Sequence, residues 1–104
     1  MHAYYVYILT NVSRNVVYIG VTNDLERRVA DHGDGRGGAF TRRYRVNTLV
    51  HAEEFQYIDE AIAREKQIKG WSRAKKDALV KAYNPTWSDL NAPGEAKGPS
   101  LRSG

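Results

Sequence analysis

Two short segments rich in β-branched and aromatic residues lie near the start of the chain, separated by a polar stretch. Tyr4–Leu9 and Val16–Val21 each have the length and composition of a β-strand. The stretch Asn11–Asn15 between them contains Asn and Ser, whose side chains hydrogen-bond nearby backbone groups and favour a turn. The chain is therefore predicted to begin with an antiparallel hairpin. Because side chains alternate between the faces of a strand, Tyr5 and Tyr7 are expected on the same side.

A helix is predicted directly after the hairpin, over Asp24–Asp31. Asn23 and Glu26 have the spacing of a capping box, which satisfies backbone N–H groups of the first helical turn. Four residues recur at steps of three and four and therefore share one helical face: Leu25, Arg28, Val29 and His32. Because two of these four can carry a charge, this face is predicted to border something other than a pure core.

The second half of the chain predicts one more strand and two more helices. The strand covers Thr48–Phe55, and its loose alternation indicates an edge or a half-buried position. A second helix is predicted over Glu60–Gly70 with Asp59 as its cap, and a third over Arg73–Tyr83 with Ser72 as its cap. On the third helix, three residues are expected to face the core: Leu79, Ala82 and Tyr83.

Glu65 lies on the apolar stripe of the second helix, three residues after Ile62 and three before Ile68. A carboxylate on an inward stripe is costly unless it is paired or binds a cation. The residues alone leave two alternatives open: an ion pair with a neighbouring Arg or Lys, and a bound metal ion.

A basic segment with an aromatic residue inside it follows a glycine-rich loop over residues 33–38. The segment is Thr41, Arg42, Arg43, Tyr44 and Arg45. Basic residues beside an aromatic ring suit phosphate contacts combined with base stacking. A solvated basic turn explains the same residues equally well, so both interpretations stand at this point.

Length and composition exclude several classes of protein. A chain of 104 residues has room for one core, which is predicted over residues 1–90, and the Gly/Pro/Ser-rich residues 91–104 are predicted to be a disordered tail. The absence of cysteine excludes disulfides and cysteine-based zinc sites.

No run approaches the roughly 18 apolar residues of a membrane helix, so no membrane partner is expected and the cytoplasm is the predicted location. The net charge of +4 permits a nucleic acid as partner.

Several of these side chains together could cleave a phosphodiester. That reaction needs a base for the attacking water, positive charge on the phosphate oxygens and help for the leaving group. A guanidinium and a divalent cation on a carboxylate supply the charge. The residues that cover these needs are Tyr7, Tyr18, Arg28, His32 and Glu65. A tyrosine with a pKa near its reference value of ~10 is a poor base at neutral pH, so its neighbours must favour the phenolate or pass the proton onward.

Tyr5-Val6-Tyr7 and, after ten intervening residues, Tyr18-Ile19-Gly20 resemble the paired signature of the GIY-YIG nuclease superfamily. The resemblance continues through later blocks in the same order: Thr22, Asp24, Leu25, Arg28 and His32, then Glu65 to Trp71, then Asn84, Pro85 and Trp87. The resemblance spans residues 4 to 90. Within the superfamily, the chain is most similar to the short members in which this domain stands alone. Tyr5 stands where the signature has Gly, which adds a large side chain near the site.

The resemblance implies a mixed α/β (α+β) fold, a small three-stranded antiparallel sheet flanked by about three helices. It implies a metal-dependent nuclease that hydrolyses nucleic acid, DNA more than RNA, with Mg²⁺ or Mn²⁺ as cofactor. Tyr7 and Tyr18 resemble the two motif tyrosines, with Tyr7 favoured as the base, and Arg28 resembles the phosphate-binding arginine. His32 resembles a residue that assists proton transfer, and Glu65 the metal ligand.

Two further residues, Asn84 and Tyr5, are implied as supporting groups. Thr41, Arg43 and Tyr44 lie where related short members carry a basic and aromatic segment beside the active site. The alternative is a nucleic-acid-binding module with the same fold and no catalysis. A homodimer would enlarge the surface that grips the nucleic acid, but no sequence feature indicates one.

Overall fold

The first strand is the centre of a three-stranded antiparallel sheet with the strand order β2-β1-β3. The structure, a computed structural model, describes residues 3–33 and 38–91. Its elements in chain order are β1 (Tyr4–Thr10), β2 (Val17–Thr22), α1 (Leu25–Gly33), α2 (Ala39–Tyr44), β3 (Thr48–Phe55), α3 (Ile58–Lys69) and α4 (Arg73–Tyr83). The predicted hairpin and the three-stranded antiparallel sheet are confirmed, and β3 is an edge strand as its pattern indicated.

The described part of the chain contains four helices rather than about three. The additional helix is α2, which includes most of the basic segment that a turn would also explain. Gly38 precedes it with a φ of 134°, and Arg45 ends it in the left-handed region with a φ of 56°. Six residues are too few for periodicity to distinguish a helix from a turn in the sequence.

Each face of the sheet carries its own hydrophobic core because the side chains of β1 alternate. Val6 and Ile8 pack on the face covered by α3 and α4, together with Ile19, Ala61, Ile68 and Val80. Tyr7 and Leu9 pack on the opposite face, together with Leu25 and Val29 of α1. The tyrosine face and the face of α3 are therefore separate layers on the two sides of β1.

The caps of α1 and α3 differ from the predicted ones. Asp24, rather than Asn23, caps α1: its carboxylate accepts from the Arg27 N–H at 3.3 Å and its carbonyl from the Arg28 N–H at 3.0 Å. The helix α3 begins at Ile58, before Asp59, because the Tyr57 carbonyl already accepts from the Ala61 N–H. Ser72 caps α4 as predicted, and its hydroxyl accepts from the Lys75 N–H at 3.2 Å.

The predicted core face of α4 is wrong for two of its three residues. Ala82 is exposed, and the side chain of Tyr83 is 71% exposed. Val80 is the buried residue of this helix, and Leu79 packs partly against it. Helical spacing gives the angle between residues, but the position of the sheet decides which part of the helix is covered.

Two parts of the predicted organisation lie outside the described residues. The tail predicted over residues 91–104 lies outside them from residue 92 onward, and the glycine-rich loop does so over residues 34–37. In the ranges that the structure covers, none of the helices is long and apolar enough to cross a bilayer.

Candidate active site

The two motif tyrosines lie side by side because of the register of the hairpin. Tyr7 pairs with Gly20, and Leu9 pairs with Tyr18, which places both phenols on the same face of the sheet. The ring centroids of Tyr7 and Tyr18 are 6.2 Å apart. Tyr7 is only 1% exposed, whereas Tyr18 is half-buried and the more accessible of the two.

Gly20 leaves the space that the Tyr7 phenol occupies. A Cβ atom at residue 20 would lie 2.5 Å from the Tyr7 hydroxyl oxygen and 2.6 Å from the ring carbon that bears it. Both distances are far shorter than any ordinary contact between non-bonded heavy atoms. The glycine of the second motif is therefore required by the tyrosine of the first.

The imidazole of His32 packs against the rings of both tyrosines. It is buried on the apolar face of α1, and its Nε2 atom lies 3.4 Å from the Tyr7 hydroxyl. Its ring centroid is 6.1 Å from that of Tyr7 and 5.4 Å from that of Tyr18. Its Nδ1 atom is buried and has no hydrogen-bond partner among residues 3–33 and 38–91.

The surroundings shift the pKa values of Tyr7 and His32 in opposite directions. Burial raises the pKa of the Tyr7 phenol well above its usual range, the Tyr18 phenol adds to this, and the Arg28 guanidinium partly offsets it. Burial also lowers the pKa of His32, the charge of Arg28 lowers it further, and Asp31 opposes both. At neutral pH, Tyr7 is therefore a protonated phenol beside a neutral imidazole.

Arg28 connects the buried tyrosines with an open cleft. The cleft has a volume of about 510 Å³ and is lined by polar and charged residues: Thr22, Asn23, Asp24, Arg27, Arg28 and Asp31. The Arg28 guanidinium also lowers the pKa of the Tyr7 phenol and so partly offsets the effect of burial. A phosphate that enters the cleft can meet a guanidinium fork directly beside the tyrosine pair.

An aromatic row extends from Tyr18 to the surface along α2. The ring of Phe40 lies 6.4 Å from that of Tyr18, and the ring of Tyr44 lies 4.9 Å from that of Phe40. Phe40 is 50% exposed and Tyr44 is 42% exposed. The Arg43 guanidinium lies 5.6 Å from the centroid of the Tyr44 ring. Phe40 was not predicted as a site residue, because no periodicity over so short a segment indicated that its ring would lie beside Tyr44.

The basic segment is exposed except for its first residue. Arg42, Arg43, Tyr44 and Arg45 are all on the surface. Thr41 is only 2% exposed, and its hydroxyl donates to the Gly38 carbonyl at 3.3 Å. Thr41 therefore lies on the face of α2 that packs against the body of the protein, and its nucleic-acid contact stays a prediction.

Glu65 lies on α3, whose buried residues Ala61 and Ile68 belong to the core on the other face of the sheet from Tyr7. Its carboxylate makes an ion pair with Lys69, with Oε2 2.9 Å from Nζ. An ion pair with a neighbouring Lys is one of the two alternatives that the sequence left open for Glu65. In the described ranges, no group of three or more His, Cys, Asp or Glu side chains is placed to hold a metal ion.

The two predicted supporting residues are in different places. Tyr5 packs partly buried on the tyrosine face. Asn84 is buried at the end of α4, where its side-chain amide donates to the Val50 carbonyl at 3.1 Å and the Ser88 carbonyl at 2.9 Å. Its amide oxygen accepts from the Ser88 N–H at 3.1 Å. The observed contacts of Asn84 hold the segment that follows α4 against β3.

A buried ionic cluster on β3 was not predicted. Glu53 accepts hydrogen bonds from Arg64 Nε at 2.8 Å and Arg64 Nη2 at 3.0 Å, and its carboxylate lies 2.9 Å from His51 Nε2. Burial alone would raise the pKa of Glu53, but hydrogen bonds from His51 and Arg64 outweigh it and lower the pKa to about 2. The sequence signal was that His51 and Glu53 are two positions apart and therefore share a face of the predicted strand.

Comparison with known proteins settles the family. A model of the GIY-YIG catalytic domain matches residues 3–78, which include both tyrosine motifs, α1 and α3. The chain belongs to the GIY-YIG family. It therefore carries a small domain of the nuclease type, as the resemblance implied.

Several similar proteins have the UPF0213 designation. The chain is 44% identical over 77 residues to a UPF0213 protein of Natronomonas pharaonis, covering 74% of this GIY-YIG chain and 89% of that protein. It is 37% identical over 79 residues to one of Bacillus velezensis, covering 76% and 77%. The solution NMR structure of a UPF0213 protein from Bacillus halodurans matches with a TM-score of 0.55 and 31% identity, covering 90% of this chain and 99% of that one. These names state no activity.

Proposed function

We propose that the protein is a metal-dependent nuclease that hydrolyses phosphodiester bonds of nucleic acid, with DNA as the expected substrate, as the resemblance implies. The observation that carries the proposal is the cluster of Tyr7, Tyr18 and His32, with Arg28 between it and an open cleft. All four residues lie within residues 3–78, the range that the model of the GIY-YIG catalytic domain matches. A fold that needed only a core would not require two phenols and an imidazole at one point.

The tyrosine pair and His32 form a path for the proton of the attacking water. Because the pKa of the Tyr7 phenol is raised, Tyr7 can take a proton from water only as it gives its own proton to His32. His32 is a suitable acceptor because its imidazole is neutral and Nε2 faces the Tyr7 hydroxyl at 3.4 Å. This path requires the tautomer of His32 that carries its proton on Nδ1.

The water could meet either phenol first. The preference for Tyr7 as the base rests on the resemblance, whereas its burial favours Tyr18 as the phenol that faces solvent. In both cases the proton ends on His32, because Tyr7 is the phenol within reach of Nε2. Arg28 stabilises the charge that develops on the phosphate oxygens, since its guanidinium lines the cleft.

A divalent cation fits the donor set only in part. Mg²⁺ is commonly held by one or two carboxylates together with water and substrate phosphates, and Glu65 is one such carboxylate. When bound at Glu65, Mg²⁺ or Mn²⁺ would supply positive charge to a phosphate only where the nucleic acid reaches the α3 side of the sheet as well as the tyrosine face. Glu65 would be its ligand from the chain, as proposed from the resemblance.

The surface of α2 is the proposed nucleic-acid interface. Phe40 and Tyr44 offer exposed rings for stacking, and three arginines offer charge for phosphates: Arg42, Arg43 and Arg45. The aromatic row leads from this surface to Tyr18, so a strand bound there would pass the tyrosine cluster. A homodimer and a cytoplasmic location remain predictions.

The test is cleavage of a labelled panel of single-stranded, duplex and branched DNA and of RNA, with Mg²⁺, Mn²⁺ or EDTA. The variants are Glu65→Gln and Tyr7→Phe, with Glu60→Gln as a matched control that removes the same charge from an exposed site on α3. Metal-dependent cutting should fall roughly a hundredfold or more in Tyr7→Phe and in Glu65→Gln and remain in Glu60→Gln.

The rival is a binding module without catalysis, and the Glu65–Lys69 ion pair is the observation that favours it. Binding of nucleic acid without cutting under every metal condition would establish the rival and reject the nuclease. Cutting that survives in Glu65→Gln but not in Tyr7→Phe would keep the nuclease and reject Glu65 as its metal ligand.

A further inference from the structure

The carboxylate of Glu65 is mostly covered, and one cation of the chain already neutralises it. The Glu65 side chain is 16% exposed and lies on the stripe between Ala61 and Ile68, both of which are fully buried. An ionised carboxylate in such a place is costly without a partner. Lys69, one helical turn further on, supplies that partner at 2.9 Å.

In the Glu65–Lys69 ion pair, another cation can replace the lysine ammonium. The Lys69 side chain is 54% exposed, and it approaches Glu65 from the solvent side at the helical spacing of four residues. Such pairs contribute little to stability because the lysine loses side-chain freedom and its charge is screened by water. The ammonium can therefore leave Glu65 when a metal ion takes its place, because the carboxylate then keeps a cationic partner.

We propose that Lys69 competes with the divalent metal for Glu65, an inference that rests on the proposed role of Glu65 as metal ligand. In the metal-free protein the ammonium neutralises the carboxylate, and metal binding displaces it. Lys69 thereby sets the metal concentration that the site requires. Weak binding by the free protein follows, because one carboxylate shared with an ammonium is a poor site for a divalent cation.

The small number of other metal ligands near Glu65 supports competition between Lys69 and the metal. No additional cluster of acidic or histidine side chains is available for a metal in the part of the chain that the structure covers. Where so few ligands surround the cation, the charge of a neighbouring side chain has a large effect on the affinity. The Lys69 ammonium, 2.9 Å from the carboxylate, opposes a divalent cation at the same place.

The experiment measures Mn²⁺ binding to the full chain at neutral pH by the loss of the electron paramagnetic resonance signal of free Mn²⁺. It compares the wild type with Lys69→Met, Lys66→Met and Glu65→Gln. Lys66 is the matched control because it is an exposed lysine on the same helix and its removal changes the net charge equally. Lys69→Met should bind Mn²⁺ about three- to tenfold more tightly than Lys66→Met. The double variant that combines Lys69→Met with Glu65→Gln should show no gain in Mn²⁺ affinity.

Each outcome decides the inference separately from the proposed function. A gain in Lys69→Met that depends on Glu65 supports the competition, even if the wild type binds too weakly to measure. Equal Mn²⁺ affinity in Lys69→Met and Lys66→Met rejects it, and metal-dependent cutting by the wild type would then leave the nuclease standing. If no variant binds Mn²⁺ through Glu65 and the wild type does not cut nucleic acid, both proposals fall.

Discussion

At the scale of single residues, Gly20 and Tyr7 depend on each other across the hairpin. The phenol of Tyr7 lies over the backbone of Gly20, and its hydroxyl reaches His32 from there. Any side chain at residue 20 would have to push the phenol away from both His32 and Tyr18. Gly20 is therefore a positioning residue for the proposed proton path.

We expect Gly20→Ala to lower cleavage at least tenfold, because the added methyl displaces the Tyr7 hydroxyl from His32. It should also destabilise the fold by roughly 1–3 kcal/mol, the usual cost of overpacking a core. The cleavage rate and the free energy of unfolding in urea measure the two effects. Gly70→Ala is the matched control, since its Cβ would meet its nearest neighbour, the Gln67 carbonyl oxygen, at 3.6 Å. Equal cleavage by the two variants would contradict the positioning role.

At the scale of elements, the short helix α2 arranges the aromatic residues of the basic segment in a row on one exposed surface. The helical spacing brings Phe40 and Tyr44 into ring contact, and the burial of Thr41 fixes which side of the helix faces the protein. The aromatic rings then lead towards Tyr18. An irregular turn with the same residues would not place them in a row.

Phe40→Ala should weaken binding of a labelled oligonucleotide about fivefold or more, because base stacking on an aromatic ring contributes roughly 1–3 kcal/mol. Fluorescence anisotropy in EDTA measures binding without cleavage. Tyr57→Ala removes another exposed aromatic ring, at the start of α3, and should leave the affinity unchanged. A loss of affinity in Tyr57→Ala as large as that in Phe40→Ala would argue against α2 as the interface.

At the scale of the whole molecule, the cluster of His51, Glu53 and Arg64 ties the edge strand β3 to α3. The carboxylate of Glu53 is buried and receives donors from both elements. Arg64 also lies 5.2 Å from the centroid of the Trp71 ring, which extends the cluster to the start of α4. Removing one member leaves the remaining buried charge without its partner.

Glu53→Gln should therefore cost about 3 kcal/mol of stability at pH 7. The pKa of Glu53 is about 2 in the folded protein against an ordinary value of 4.5, so its contribution is present above pH 4.5 and is lost as the pH falls towards 2. Urea unfolding between pH 7 and pH 3 should show the wild type losing more stability than Glu53→Gln. Parallel curves for the two proteins would exclude this cluster as a source of acid sensitivity. Glu60→Gln, at an exposed site, should follow the wild type.

Local patterns determined the elements and part of the site. Alternation predicted that Tyr5 and Tyr7 share a face, and the polar turn predicted the hairpin that pairs β1 with β2. Ser72 identified the start of α4, and the stripe around Glu65 indicated a carboxylate that needs a cation. These features depend on residues within a few positions of each other, so the sequence contains their cause.

Only the tertiary structure decided which distant residues meet. His32 reaches Tyr7 across 25 positions, and Arg64 reaches Glu53 across 11. The burial of Thr41 and the exposure of Tyr83 likewise depend on where α2 and α4 lie against the sheet. Periodicity gives the angle of a side chain on its own element, whereas contact and burial depend on how the elements pack, which no local pattern contains. The sequence by itself therefore determined the strands, the hairpin and the identity of the tyrosine motifs, while packing alone brought His32 to Tyr7.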